Sequence, residues 1–404
     1  MKKIIKAFCL TLVFVCVLLM SAVVYGFYTL PDDIYTLSGT DFDVGFYTCS
    51  VQQNKRTDVS KTVNAAGKYK VNISLFNRIP VKISNLTVSN RRYVVPSGEI
   101  IGLRMFTKGV MIVAVDTVDT ENGDLNPAKT AKLQLGDVIY TINGTIIENS
   151  SQVEQIVSSS KGKPLHIEYR RNGDAFTTSI TPEYSVSENR YKAGLWIRDS
   201  AAGIGTMTFY EKSTGFFASL GHAVCDIDTG DVLPLSNGDI VDAAISGCVK
   251  GKSGVAGELC GNFKSQSLGT LFLNDIYGVF GYLYSIEKAD EEIPVALKSE
   301  IRTGSAQIIS TVEGDTKAYY DIEIEKLNPD DKNGKNMVIR IKDPSLLEKT
   351  GGIVQGMSGS PIIQNGRLVG AVTHVFLNDP TRGYGIFAET MLGRVADAEL
   401  EQVG

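Results

Sequence analysis

Histidine, tryptophan and cysteine are scarce in this chain of 404 residues, which holds three, one and six of them. The histidines, His166, His222 and His374, are far apart and no HExxH occurs, so neither a zinc site nor a cofactor is expected. The cysteines form no CxxC pair and no dense framework. Cys9 and Cys16 fall in an apolar N-terminal run, leaving Cys49, Cys225, Cys248 and Cys260; one disulfide among the last three and free buried thiols are both open. An excess of one charge is missing as well. Forty basic side chains stand against 45 acidic ones, a net charge of −5, and no long basic run occurs beyond residues 2 to 6. Nucleic acid is therefore not expected as the main partner. Apolar residues make up 43% and charged residues 21%, an ordinary globular balance over a length that fits two or three domains.

What the chain does have begins at residue 7. Lys2, Lys3 and Lys6 precede an uncharged run from Ala7 to Phe27, about the ~20 residues a helix needs to cross a bilayer. Positive charge before the run sets the N-terminus in the cytoplasm and exports the rest. The run is longer than a usual signal-peptide core, which favours an uncleaved anchor. Val24 and Gly26 are small residues that would also serve a cleaved signal. Either way, residues 28 to 404 are expected outside the cytoplasm.

Residues 28 to 97 read as a linker and a small β module. Val71, Ile73 and Leu75 alternate with polar residues, and the pattern returns around Val81, Ile83 and Leu86. Residues 98 to 184 are more distinctive. A short helix is expected over Pro127 to Lys132, followed by Leu135-Gly136-Asp137 and a strand ending in Asn143-Gly144. Ser151 and Glu154 read as a capping box opening a second helix, with Val153, Ile156 and Val157 on one face. This "PAxxAxLxxGDxIxxINGxxI" pattern resembles a PDZ domain. The resemblance implies a peptide groove between that helix and the strand of "EIIGLRMF", residues 99 to 106, with amides near Ile101, Gly102 and Leu103 holding a carboxylate.

Pro182 and "YSVSENRYK" mark the next boundary, and residues 185 to 404 carry many short strand patterns. In "GMSGSPIIQNGRLVGAVTH", Asn365-Gly366 joins two apolar pairs as a hairpin. The serine turn before it is thus tied to a rigid ribbon, as a nucleophile requires. Gly356, lacking a side chain, can present its N–H to a developing oxyanion, and Ser358 can supply a second.

"GxSGSP" before a hairpin and a "GAV" strand resembles the nucleophile turn of chymotrypsin-like serine proteases. That resemblance makes Ser358 the nucleophile and Ser360 a residue that mainly needs to be small. Its order of His, Asp, Ser makes His222, in "FFASLGHAVCDIDTG", the base. "GLWIRDSAAGIGTMTFYEKSTGFFASLGHAVCDIDTG" together with "EKTGGIVQGMSGSPIIQNGRLVGAVTHVFLNDPTRGYGIF" is similar to the stage IV sporulation protein B peptidases. Nearly the whole chain is covered, in the same order of anchor, small β module, PDZ and peptidase.

The fold so implied is mainly β: membrane anchor, small β module, PDZ domain (α+β) and a chymotrypsin-like double β-barrel. The family implies Asp343 as the carboxylate beside His222; chymotrypsin topology points instead to Asp275, and Asp226, Asp228, Asp239 and Asp242 are open on distance. In glutamate-specific relatives a histidine near position 374 lines the specificity pocket, so Thr373 and His374 are read as pocket residues, with His374 also the rival base. His166 reads as an ordinary strand residue. The family further implies a signalling protease between forespore and mother cell. It would process its own N-terminal region and cleave a membrane-bound regulator, leading to intramembrane proteolysis and sigma-factor activation. A catalytically inactive PDZ adaptor and an extracytoplasmic quality-control protease are the rival readings.

Overall fold

The computed structural model describes residues 2–39, 42, 44–53, 56–58, 63, 65–286, 289 and 291–394; residues 395–404 of the expected peptidase segment lie outside them. The chain divides into two units, one ending at Arg92 and one starting at Tyr93.

In the first unit a helix runs over Lys2–Thr29, and its Phe8–Thr29 stretch is long and apolar enough to cross a membrane. After it comes a five-stranded sheet in the order Asp33–Leu37, Ile79–Ser89, Gly67–Leu75, Thr48–Gln53, Arg56–Asp58. Val71, Ile73 and Leu75 turn into its core as their alternation requires. Ile83 does not: it is 65% exposed. The pairing with the neighbouring strand skips Val81, and this one-residue bulge reverses the inward and outward faces beyond it, so that Ser84, Leu86 and Val88 point inward instead.

The second unit is organised by one long strand, Ile100–Val115, that serves two domains. Its first half belongs to a six-stranded antiparallel ring that continues through Leu235–Val249, Glu258–Asp275, Gly278–Leu283, Phe216–Ser219 and Leu195–Tyr210. The last strand pairs back onto Ile100–Val115, so the sheet closes. Gly109, at φ 76°, lies so close to the next strand that a Cβ would stand 2.3 Å from the Ile139 carbonyl oxygen. Beyond it, Val110 and Met111 pair with Ile139 and Val138 of the PDZ sheet. That sheet continues into Leu165–Arg171 and Asp174–Ile180, and the Ser150–Ser159 helix packs on it through Val153 and Val157.

The PDZ domain is thus inserted between two neighbouring strands of the first barrel, and residues 98 and 184 do not separate two bodies. Residues 100–106, expected in the PDZ domain, are barrel strand. The helix also starts earlier than its expected capping box. Asn149 is the N-cap, accepting from the Gln152 N–H, and Gln152 Oε1 accepts from the Glu148 N–H in return. Asn143 and Gly144, where the strand was expected to end, lie at φ 53° and 76°, and Asn365 and Gly366 of the expected hairpin at 52° and 70°, both pairs positive as a type I′ turn requires.

A second closed barrel contains Gly304–Ser310, Ala318–Leu327, Met337–Ile341, Asp379–Phe387, Arg367–Phe376 and Pro361–Gln364. Its core is aliphatic, with Ile308, Ile324, Ile339 and Ile362 fully buried. Thr206 of the first barrel ties the two together. Its N–H donates to the Ser358 carbonyl (3.0 Å) and its hydroxyl to the Gly356 carbonyl (2.7 Å).

Candidate active site

The serine turn is built from its glycines outward. The Pro344–Thr350 helix ends at Gly351 in the left-handed conformation, and the chain then bends at Gly356 (φ 96°) and Gly359 (φ 98°) before entering Pro361–Gln364. A Cβ on Gly359 would lie 2.0 Å from the Thr206 carbonyl oxygen, so only glycine fits. Ser360 is fully buried and donates to the Ser310 hydroxyl at 2.9 Å, anchoring the turn to the second barrel. Ser358 lies between these fixed points, at a cleft of about 530 Å³. Its hydroxyl donates to the Thr373 carbonyl at 2.7 Å. Among the described residues, neither the Gly356 N–H nor the Ser358 N–H has an acceptor. Two unpaired amides beside the hydroxyl are what an oxyanion site requires.

His222 lines the same cleft from the first barrel. It follows Leu220 and Gly221, both at positive φ (63° and 70°), which carry the chain sharply out of Phe216–Ser219. Backbone strain at a non-glycine residue such as Leu220 concentrates at functional sites. Asn274 secures the loop beyond, accepting from the Val224 N–H and donating to the Val224 and Leu233 carbonyls. Buried Asp226, ion-paired with Arg198, accepts from the Asp228 and Thr229 N–H groups. His222 Nδ1 lies 2.8 Å from the Ala223 carbonyl oxygen. A carbonyl only accepts, so this contact fixes the proton on Nδ1 and leaves Nε2 with a lone pair. Burial pushes the imidazole below the ordinary histidine value, against the upward pull of that bond.

Thr373 and His374 line the cleft too. The His374 ring faces His222 with centroids 4.9 Å apart and planes at 40°. His374 is exposed at the cleft mouth, yet desolvation of the ring by the atoms around it, then the facing His222, then Lys335 hold it down to about 4. Thr373 Oγ1 is buried and has no partner among the described residues. His166 lies on the exposed face of Leu165–Arg171 in the PDZ sheet, away from the cleft.

The structure does not bring Asp343 to His222. Asp343 is the N-cap of Pro344–Thr350, its Oδ1 accepting from the Ser345 and Leu346 N–H groups and the Ser345 hydroxyl. The rival carboxylates are engaged elsewhere: Asp275 with Arg394, Asp226 and Asp228 with Arg198, Asp239 with Arg104, and Asp242 with Lys264. The Ala223 carbonyl takes the orienting contact expected of a carboxylate.

A second correction concerns Ile101, Gly102 and Leu103. They pair with Asp242, Val241 and Ile240 on one edge and with Gly205, Ile204 and Gly203 on the other, and Ile101 and Leu103 are buried. No edge remains there for a peptide. The groove of the PDZ domain, about 380 Å³, instead lies between the Ser150–Ser159 helix (Val153, Val157) and the start of Leu195–Tyr210. "AGLWI", residues 193 to 197, forms its floor; the Gly-then-apolar pattern after "RYK" was the available signal. Thr206 was also missed, and its only sign in the sequence is a polar residue inside a buried run.

Known proteins contain both kinds of domain, and the PDZ match begins within the strand Ile100–Val115 that the two domains share. Residues 100–181 match the PDZ domain family, and residues 189–392, about half of the chain, match SpoIVB peptidase S55. A putative zinc metalloprotease of Lactococcus lactis, LL2128, is 34% identical over 101 residues, covering 25% of this chain and 22% of that protein. The zinc metalloprotease RasP of Shouchella clausii is 29% identical over 135 residues, covering 31% of this chain and 32% of that protein. The chain thus spans about a fifth to a third of the length of these relatives. Among solved structures, the active form of the Rv3671c protease of M. tuberculosis is 16% identical, with a TM-score of 0.28, over 48% of this chain and 74% of that one. On the match over residues 189–392, the chain belongs to the SpoIVB peptidase S55 family.

Proposed function

We propose that this chain is a serine endopeptidase, with Ser358 as nucleophile and His222 as base. The observation that carries this reading is the shared cleft in which Ser358, His222 and the unpaired Gly356 and Ser358 amides meet. Ser358 Oγ leaves the Thr373 carbonyl, His222 Nε2 takes its proton, and the oxygen attacks the scissile carbonyl. The two amides hold the resulting oxyanion. The proton on Nε2 then passes to the leaving amine, and water repeats the cycle on the acyl-enzyme. Ala223 O steadies the imidazolium from Nδ1. Thr373 and His374 form the wall of the specificity pocket.

The Lys2–Thr29 helix supports tethering to a membrane with the catalytic unit outside the cytoplasm. Family membership supports a sporulation signalling role: self-processing in the N-terminal region and cleavage of a membrane-bound regulator between forespore and mother cell. A fluorophosphonate probe tests the catalytic reading without knowledge of the substrate. Full-length protein should be labelled on Ser358 and nowhere else, and the label should vanish in Ser358→Ala. An unlabelled Ser358 would identify an inactive scaffold.

The pH dependence has a definite sign. Burial depresses the His222 value, so its neutral, proton-accepting form persists below the ordinary 6.5. The acid limb of kcat/KM on a peptide substrate should therefore have its midpoint below pH 6.5, with the facing imidazoles titrating as a pair. A limb at or above 6.5 would contradict the buried base.

A further inference from the structure

The strand Leu195–Tyr210 has one edge covered by Ile100–Val115 over Leu195–Thr206. Its other edge takes a strand partner, Phe216–Ser219, only from Met207 onward. The open edge starts in the PDZ groove at Leu195–Ile197 and continues to Ala201–Ile204, which line the catalytic cleft. Both stretches belong to the same compact unit. Two bulges, at Trp196/Ile197 and Arg198/Ser200, turn the edge along its way without breaking the strand. At its far end Thr206 bonds directly to the Ser358 and Gly356 carbonyls.

The near end is equipped for a carboxylate. Ala193 and Gly194 are buried, and among the described residues neither N–H has an acceptor. Buried backbone donors without acceptors are rare unless a ligand completes them, and adjacent free amides suit an anion. The helix fits the same orientation: Val157 and Gly194 line one groove, and Ser150, at the helix's first turn, is tied to Asp199, farther along the strand, by its N–H at 2.7 Å.

We infer that this open edge is one continuous track for the C-terminal tail of a substrate protein, which spans the PDZ groove and the catalytic cleft together. This rests on the peptidase reading above. The tail's carboxylate sits on the Ala193 and Gly194 amides. Its backbone runs antiparallel to Leu195–Ile204 as an added strand, with apolar side chains against Val153 and Val157. Residues pair one to one in an antiparallel ladder, so the scissile bond falls about ten residues from the C-terminus. The occupant is a substrate because the track leads into the cleft of Ser358. The PDZ domain then acts as a ruler that selects a bond by its distance from a free chain end.

Photocrosslinking to full-length Ser358→Ala protein tests this without relying on turnover. The probe is a library of 20-residue peptides, randomised at the last four positions, with a benzophenone at about four or about ten residues from a free C-terminus. The near label should crosslink to the Ser150–Ser159 helix and the far label to residues 201–222, and C-terminal amidation should lower both at least about tenfold, the loss of one charge-assisted contact. Far-label crosslinks outside the cleft, or crosslinking indifferent to amidation or absent, would overturn the track. Fluorophosphonate labelling of the unmutated protein, run in parallel, reports on the peptidase reading separately.

Discussion

Replacing Ser358 or His222 by alanine should each lower kcat/KM on a cleaved peptide by about three orders of magnitude or more, because nucleophile and base act as one unit. For the same reason the double variant should be no slower than the worse single one. Without Nε2 of His222 the neighbouring imidazole is His374, whose proton affinity burial holds below the ordinary histidine range. Folding should barely register the Ser358 change, which removes one hydrogen bond to the Thr373 carbonyl, worth about 1 kcal/mol. Unfolding in urea and peptide turnover, measured on the same preparations, separate the two effects. If His222→Ala kept most of its activity while His374→Ala lost it, the roles of the two histidines would be exchanged.

The parts of this site legible in the sequence were those whose chemistry is local. The Gly356–Ser360 turn announces itself because a bent backbone beside a small nucleophile allows so few residue types. The Asn143-Gly144 turn and the Val153/Val157 face were readable for the same reason. The groove strand was not. Ile100–Val115 has the same alternation whether it lines a PDZ groove or a barrel, and only its pairing with Asp242, Val241 and Ile240 on one side and Gly205, Ile204 and Gly203 on the other decides between them. Such pairings join residues a hundred or more positions apart, beyond any local pattern. Asp343 is a different case. Asp-Pro-Ser-Leu-Leu is a strong local signal for a helix start, with the carboxylate at the N-cap and proline at the first helical position. The structure follows that signal, and the orienting contact to His222 comes from a backbone carbonyl that no sequence motif marks.

Gly359→Ala should be the most damaging single substitution in the turn, despite adding one methyl group. Two costs combine. Alanine at φ 98° is strained on its own backbone, and its Cβ would stand 2.0 Å from the Thr206 carbonyl oxygen and 2.6 Å from the Leu220 nitrogen. Both contacts are backbone atoms of the other barrel, so no rotamer change can relieve them. Only separation of the barrels at the catalytic cleft would. Together these should cost about 3–5 kcal/mol of unfolding free energy and abolish fluorophosphonate labelling even where folded protein is recovered. Ser360→Ala, one residue on, is the control. It removes a hydroxyl bonded to Ser310 and leaves no strained backbone, so it should cost about 1 kcal/mol and leave labelling intact. If Gly359→Ala instead matched Ser360→Ala in stability and labelling, the close approach of Thr206 to the serine turn would not be what holds the nucleophile in place.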